Sequence, residues 1–494
     1  MTLSRPAFDN SYARLPERFW SAQEPVPVAQ PALIRINHGL ASMLGISAEW
    51  LESPEGLEVL AGNRVPEGSE PIAQAYAGHQ FGGWNPQLGD GRAVLLGEIV
   101  TPQGQRYDIQ LKGAGRTVWS RGGDGRSPLG PVLREYIVSE AMAALGVPTT
   151  RSLAAVATGE SVLRERPLPG AILTRVASSH IRVGTFEYFA GKQDYDAQRL
   201  LADHVIARHY PEAARSEQPY LALLEGVIAR QARLIAQWQQ LGFIHGVMNT
   251  DNMLVSGETI DYGPCAFLDE YSPATVFSSI DSFGRYAYGN QPAIAQWNLA
   301  WLARVLLPIV PGEEDPAVHR AQQAIEGFIE QYEAAWRELM HHKLGIAQPD
   351  ASSDTLLEAL LELMTRERAD FTLTFSYLTA LAGGDTILQA DIESFWTPPP
   401  SLANWLPGWQ ARLQQAGQDA SARHQLMRRA NPLYIPRNHL VEEAIAAATD
   451  HHDFSLFHQL VERVTAPFDF DPAARHYLQP PRPEQVVKQT FCGT

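Results

Sequence analysis

The hydrophobic period of the chain changes once, and that change limits the folds open to it. From about Gly78 to Arg182 the sequence is rich in glycine and in short β-type runs, at 93–100 (AVLLGEIV), 107–111 and 171–176. From about Gly191 onward apolar residues recur at spacings of three and four. Tyr220, Leu224, Val227, Ile228, Leu234, Ile235, Trp238 and Leu241 describe one long amphipathic helix stopped by Gly242. Further helices are expected at 292–307, 314–343, 354–367, 437–449 and 453–464. Strand texture followed by helix texture predicts an α+β fold with a smaller sheet-bearing lobe, 1–185, and a larger helical lobe, 186–494, that includes a C-terminal helical extension. The 494 residues are enough for two such lobes.

Composition matters where it bears on partners. With 45% hydrophobic and 19% charged residues the chain is globular in type. Its 39 Lys and Arg face 55 Asp and Glu, and a net charge of -16 argues against binding nucleic acid through a broad basic face. Any anion site must be a local cluster of Arg and Lys. The most apolar stretch, Trp297 to Val310, is interrupted by Asn298, Arg304 and Pro308, so no membrane span is expected. The first residues lack the apolar core of a secretory signal, which makes a cytoplasmic protein the expectation. Two distant cysteines, Cys265 and Cys492, exclude a disulfide framework and a Cys-based zinc site.

Five segments together point to a nucleoside triphosphate and a metal. In LGDGR, Gly89 and Gly91 permit close approach of backbone to phosphate and Arg92 adds charge. In LKGAG, Lys112 ends a strand whose apolar set is Tyr107, Ile109 and Leu111, so it projects from the opposite face, where a carboxylate on the following helix can hold it. That helix is expected over 131–145, its stripe formed by Val132, Leu133, Tyr136, Ile137 and Met142. Glu135 and Glu140 both qualify as the partner. In SRGGDGRS, Asp124 and Gly125 form either a second phosphate-side loop or a plain capped turn. Arg175 and Arg182 flank an apolar connection and suit bidentate phosphate capture, against the alternative of two surface arginines.

The fifth segment, FIHGVMNTDNMLVSGETIDYGP, reads as loop, short hairpin and Asp-Tyr-Gly after a long helix, the order of a protein kinase catalytic loop and metal-binding motif. Asn252 and Asp261 occupy the metal-ligand places with hard oxygen donors that suit Mg²⁺. The overlay puts Val247 where a kinase has its catalytic Asp, and valine cannot accept a proton. Asp251 is the nearest carboxylate and the candidate general base.

On AYAGHQFGGWNPQLGDGRAVLLGE, LKGAGRTVWSRGGDGR, SEAMAALGVPTTRSLA, LTRVASSHIRVGTFEYF, HGVMNTDNM and TIDYGP the chain resembles the selenoprotein O family of protein adenylyltransferases, from about residue 8 to 445. The resemblance implies a kinase-like bilobal fold that binds ATP in flipped orientation and transfers AMP to Ser, Thr or Tyr hydroxyls of proteins, redox-related proteins among them. It assigns Gly89, Gly91, Arg92, Lys112, Asp124, Gly125, Arg175, Arg182 and Asp261 to the nucleotide. Asn252 and Asp261 would hold Mg²⁺ or Mn²⁺, Asp251 would accept the proton, and Glu135 would support Lys112. UMP transfer in the same site, ordinary phosphoryl transfer and an inactive ATP-binding scaffold are the alternatives. Pro128 and Pro131 stand where the family has helix-compatible residues, which places the helix start near Pro131. Cys492 stands where eukaryotic relatives carry selenocysteine, and a reversible disulfide with Cys265 is the implied switch. A monomer without nucleic-acid or membrane partners is expected.

Overall fold

The computed structural model describes residues 4–490. Its strands are β1 (Trp20–Ala22), β2 (Ala32–Ile36), β3 (Ile72–Gln74), β4 (Gly78–Gln80), β5 (Gly83–Asn85), β6 (Ala93–Val100), β7 (Arg106–Lys112), β8 (Ser127–Pro128), β9 (Arg151–Leu163), β10 (Pro167–Ala177) and the mutually paired β11 (Phe243–Ile244) and β12 (Ala266–Phe267). The main sheet is antiparallel in the order β1-β3-β6-β7-β10-β9-β2, with β8 beside β10. β4 and β5 form a separate hairpin. The three predicted strand runs all lie within this sheet, whereas the long β9 escaped the pattern because its small residues, such as Ala154, Ala155 and Ala157, give little periodic signal.

The sheet separates two cores. Ile109, Leu111, Ile172 and Val176 pack with residues of the helices His38–Leu44 and Pro54–Leu60. Ala171 and Leu173 face Leu133, Tyr136 and Ile137 of the helix Leu129–Ala144. Lys112 pairs with Leu173, so strand alternation carries it to the face where Glu135 lies. The alternate face of β7 is not solvated as the pattern suggests: Asp108 and Gln110 are buried, Asp108 by Arg208 and His180 and Gln110 beside Asp90 and Arg175. The helix begins at Leu129 rather than near Pro131, with Pro128 as its cap residue and Pro131 in the first turn.

The long helix is found at Pro219–Leu241, ended by Gly242 at φ 72°. The expected helices appear as Gln291–Leu306, Glu314–Lys343, Ala351–Glu367, Asn438–His451 and Ser455–Val464. Phe371–Gly383 was not legible because it is buried on all sides and shows no stripe. The last two helices turn back onto Leu129–Ala144, where Phe457 meets Tyr136 edge-on at 5.6 Å. Arg134 joins that helix to Cys265 O at 3.1 Å and Asn438 Oδ1 at 2.9 Å. Among the described residues no helix is long and apolar enough to cross a membrane.

Candidate active site

A cavity of about 450 Å³ lies between the sheet and the segment 247–264, a size suited to a nucleotide-sized ligand. Gly89, Gly91, Arg92, Lys112, Asp124, Gly125, Glu135, Arg175, Arg182, Asp251, Asn252 and Asp261 all line it. Five distant segments therefore converge on one place.

At its centre is a buried charge cluster. Lys112 Nζ donates to Glu135 Oε2 at 2.6 Å and to Asp261 Oδ1 at 2.8 Å. This decides between the two glutamates, because Glu140 is held instead by Arg151 and the Ser152 amide. Arg175 donates through Nε to Glu135 Oε1 at 2.8 Å and through a terminal nitrogen to Asp261 Oδ1 at 2.7 Å. Arg182 donates to the Asp251 carbonyl at 2.8 Å and approaches Asp261 Oδ2 at 3.4 Å, over the ring of Tyr76. Neither arginine is a surface residue. Burial works to raise the Asp261 carboxyl, but Lys112, Arg175 and Arg182 outweigh it and hold the group well below the usual carboxylate range. Asp261 also adopts φ 63°, a left-handed conformation rare for a non-glycine and typical of constrained sites.

Asp251 has different surroundings. It sits in the turn Thr250–Asn252, and burial pushes its carboxyl up to about 6, with Arg182 and the Gln80 amide pulling partly back. Oδ2 accepts from Gln80 Nε2 at 3.1 Å, while Oδ1 is buried without a partner. Near neutral pH such a group is mainly ionised yet close enough to its midpoint to take a proton. Asn252 Nδ2 donates to the Val247 carbonyl at 3.0 Å, which leaves its Oδ1 as the free acceptor end. That oxygen and the ionised Asp261 are hard donors fit for Mg²⁺ or Mn²⁺. Among the described residues no group of three or more His, Cys, Asp or Glu could hold a metal by itself, so phosphate and water oxygens would complete the shell.

The glycine loop is shaped by its packing. Gly89 has φ 69°, and a Cβ there would lie 2.4 Å from the Trp119 ring. Asp124 accepts from the Arg126 amide at 2.9 Å and from Arg164 at 2.7 Å, in a turn that leads into β8 and not directly into the helix. The expected hairpin inside the fifth segment does not form: Leu254 bridges instead to Arg182, the cap residue of the helix Val183–Gly191, and Thr259 to Thr149, just ahead of β9. The sequence reading also missed Asp90, buried and pushed up to about 6 by burial, and the hairpin residues His79 and Gln80. Their only signal was position within AYAGHQFGGWNPQLGDGR. A cavity of about 510 Å³ elsewhere is lined by Arg106 and Arg208, but Asp9, Glu98 and Asp108 already pair both.

A kinase-type Lys-Glu pair beside a buried, ionised Asp, with an Asn on the preceding loop, is an arrangement suited to a nucleotide-transferring enzyme. The family model for "Protein adenylyltransferase SelO" matches residues 3–465. A "Protein nucleotidyltransferase YdiU" of Rhodopseudomonas palustris (strain BisB5) is 58% identical over 494 residues, all of both chains. Relatives with the same description from Methylorubrum extorquens and Rhizobium etli are 57% and 56% identical, covering 99% of this chain and 99% and 97% of their own. The chain belongs to the SelO family and is an enzyme of the nucleotidyltransferase class.

Proposed function

We propose that this enzyme transfers AMP from ATP to Ser, Thr or Tyr hydroxyls of proteins, with the nucleotide reversed relative to a protein kinase. The observation that carries the reading is the division of labour along the cavity. Lys112, Arg175 and Arg182 gather positive charge at the buried end, as the β- and γ-phosphates require. The base-competent carboxylate belongs to Asp251, while Val247 fills the place where a kinase has its Asp. Asp251 takes the proton of the acceptor hydroxyl, whose oxygen attacks the α-phosphorus as pyrophosphate leaves. Asn252 and Asp261 would hold Mg²⁺ or Mn²⁺, which supplies charge neutralisation at the phosphates. Gly89, Gly91, Arg92, Asp124 and Gly125 line the remaining wall for the nucleotide. The division into a sheet-bearing lobe to about 185 and a helical lobe beyond it belongs to the same reading, supported by where the strands end and the long helices begin.

Incubation with Mg²⁺ and ATP labelled at the α- or γ-phosphate tests it. Label from the α-position alone is expected on protein. Label from γ alone would establish phosphoryl transfer, no label a scaffold, and preferential labelling from α-labelled UTP the uridylyl alternative.

Redox control is part of the proposal. Cys492 lies outside the described residues, but Thr490 donates to Pro264 O at 2.6 Å and bridges to Ser278, which brings the tail against the neighbour of buried Cys265. A Cys265 to Cys492 disulfide there would tie the tail to the cavity mouth and make transfer redox-dependent. Equal activity of wild type and Cys492→Ser in oxidising and reducing buffer would remove it.

A further inference from the structure

The β4–β5 hairpin forms no part of the kinase-like pattern, yet it grips the Asp251 loop at three consecutive residues. The Phe81 amide donates to Asn249 Oδ1 at 3.0 Å, the His79 amide to Thr250 Oγ1 at 2.7 Å and Gln80 Nε2 to Asp251 Oδ2 at 3.1 Å. Tyr286 donates its hydroxyl to the same Asn249 oxygen at 2.7 Å. From behind, Glu187 accepts from the Thr250 hydroxyl and lies 2.7 Å from His79 Nδ1.

The contact is too close for ordinary side chains. A Cβ at Gly78 would lie 2.7 Å from Asp251 Oδ1, and one at Gly184 would lie 2.1 Å from the Ala77 carbonyl. The hairpin tip is held in an unfavourable conformation. Phe81 and Gly82 have φ 52° and 82°, the signs of a type I′ turn, which favours Asn-Gly over a bulky first residue. Such strain persists where surrounding bonds over-determine it, as the Phe81 amide bond to Asn249 does.

We propose that Gln80 is a positioning residue for the transfer: its amide anchors Oδ2 of Asp251 and so fixes the rotation of that carboxylate against the hairpin. This rests on Asp251 being the base. The carboxylate can only accept, so the contacting end of Gln80 is its NH₂. The hydroxyl proton passes to the Asp251 carboxylate, the new bond joins the acceptor oxygen to the α-phosphorus, and the bond to the bridging oxygen breaks with release of pyrophosphate. Arg182 and Asp261 are the other charged groups facing Asp251, and neither touches its carboxylate oxygens. Gln80 alone therefore sets the carboxylate's rotation among the charged and amide side chains around it.

Gln80→Met removes the donor at similar volume. Expected is an about 10- to 100-fold fall in transfer of α-label from ATP to the proteins of a nucleotide-free cell extract, as for lost orienting bonds elsewhere. ATP affinity by calorimetry and the KM for ATP should stay unchanged, so that the loss falls on kcat. Gln80→Glu, which sets like charge against Asp251 in place of the amide donor, should lower kcat further. Gln80→Asn keeps the amide one methylene short and should repeat the loss in kcat, which guards against a misfolded Met variant. A Gln80→Met enzyme with wild-type rate overturns the proposal, as does a fall in ATP affinity that matches the fall in rate. Asp251→Asn with retained turnover would instead dismiss the base on which it rests.

Discussion

Asp251 and Asp261 line the same cavity, and burial raises both, yet the two are shifted in opposite directions. Asp261 lies among Lys112, Arg175 and Arg182 and stays ionised. Asp251 meets Arg182 only through its own carbonyl and has one amide on its carboxylate, which leaves it near 6. Desolvation is common to both, so the number of cations within hydrogen-bond reach decides the chemistry. Pairs of acids pushed apart in this way commonly divide proton transfer from electrostatic or metal-binding work.

The largest expected effect exchanges the two roles. Asp251→Asn should lower α-label transfer by about 10²- to 10⁴-fold, the usual worth of a general base, with ATP binding kept. Asp261→Ala should abolish metal-dependent ATP binding itself. Calorimetry beside the transfer assay separates the two, and matched losses of binding in both variants would break the contrast.

Next is stability. Glu135→Ala leaves Lys112 and Arg175 with Asp261 as their one remaining carboxylate within 4 Å. Removing one side of a buried ion cluster costs about 3–5 kcal/mol, read as a lower urea midpoint. A change below about 1 kcal/mol would mean that Asp261 compensates.

The smallest effect is graded by pH. With Asp251 as the proposed base, transfer should be flat above about pH 7 and fall about tenfold per unit well below pH 6. Asp261, held low, contributes stability above the ordinary carboxylate range that is lost only as pH falls through and below that range. At pH 5 the enzyme should therefore be folded and bind ATP while transferring slowly. Loss of ATP binding in step with turnover between pH 7 and 5 would contradict the separation of roles.

Much of the site was legible because its chemistry sits in short segments. Lys112, Asn252 and Asp261 stood out by residue type and order, and Asp251 by the valine at 247. Glu135 was half legible, since helix phase left Glu140 open until Arg151 was seen to occupy it. Asp90, His79 and Gln80 were not, because a turn aspartate and a hairpin glutamine look ordinary until burial and the opposing loop are known.

The sequence by itself determined the succession of strands and helices, the residue types of the nucleotide site and the family, all local or linear properties of the chain. Only the tertiary structure decided which carboxylate holds Lys112, why one aspartate stays charged while its neighbour is poised to take a proton, and that the hairpin orients that neighbour. Those depend on distances between groups far apart in the chain. Protonation follows from the desolvation and charge that those distances impose.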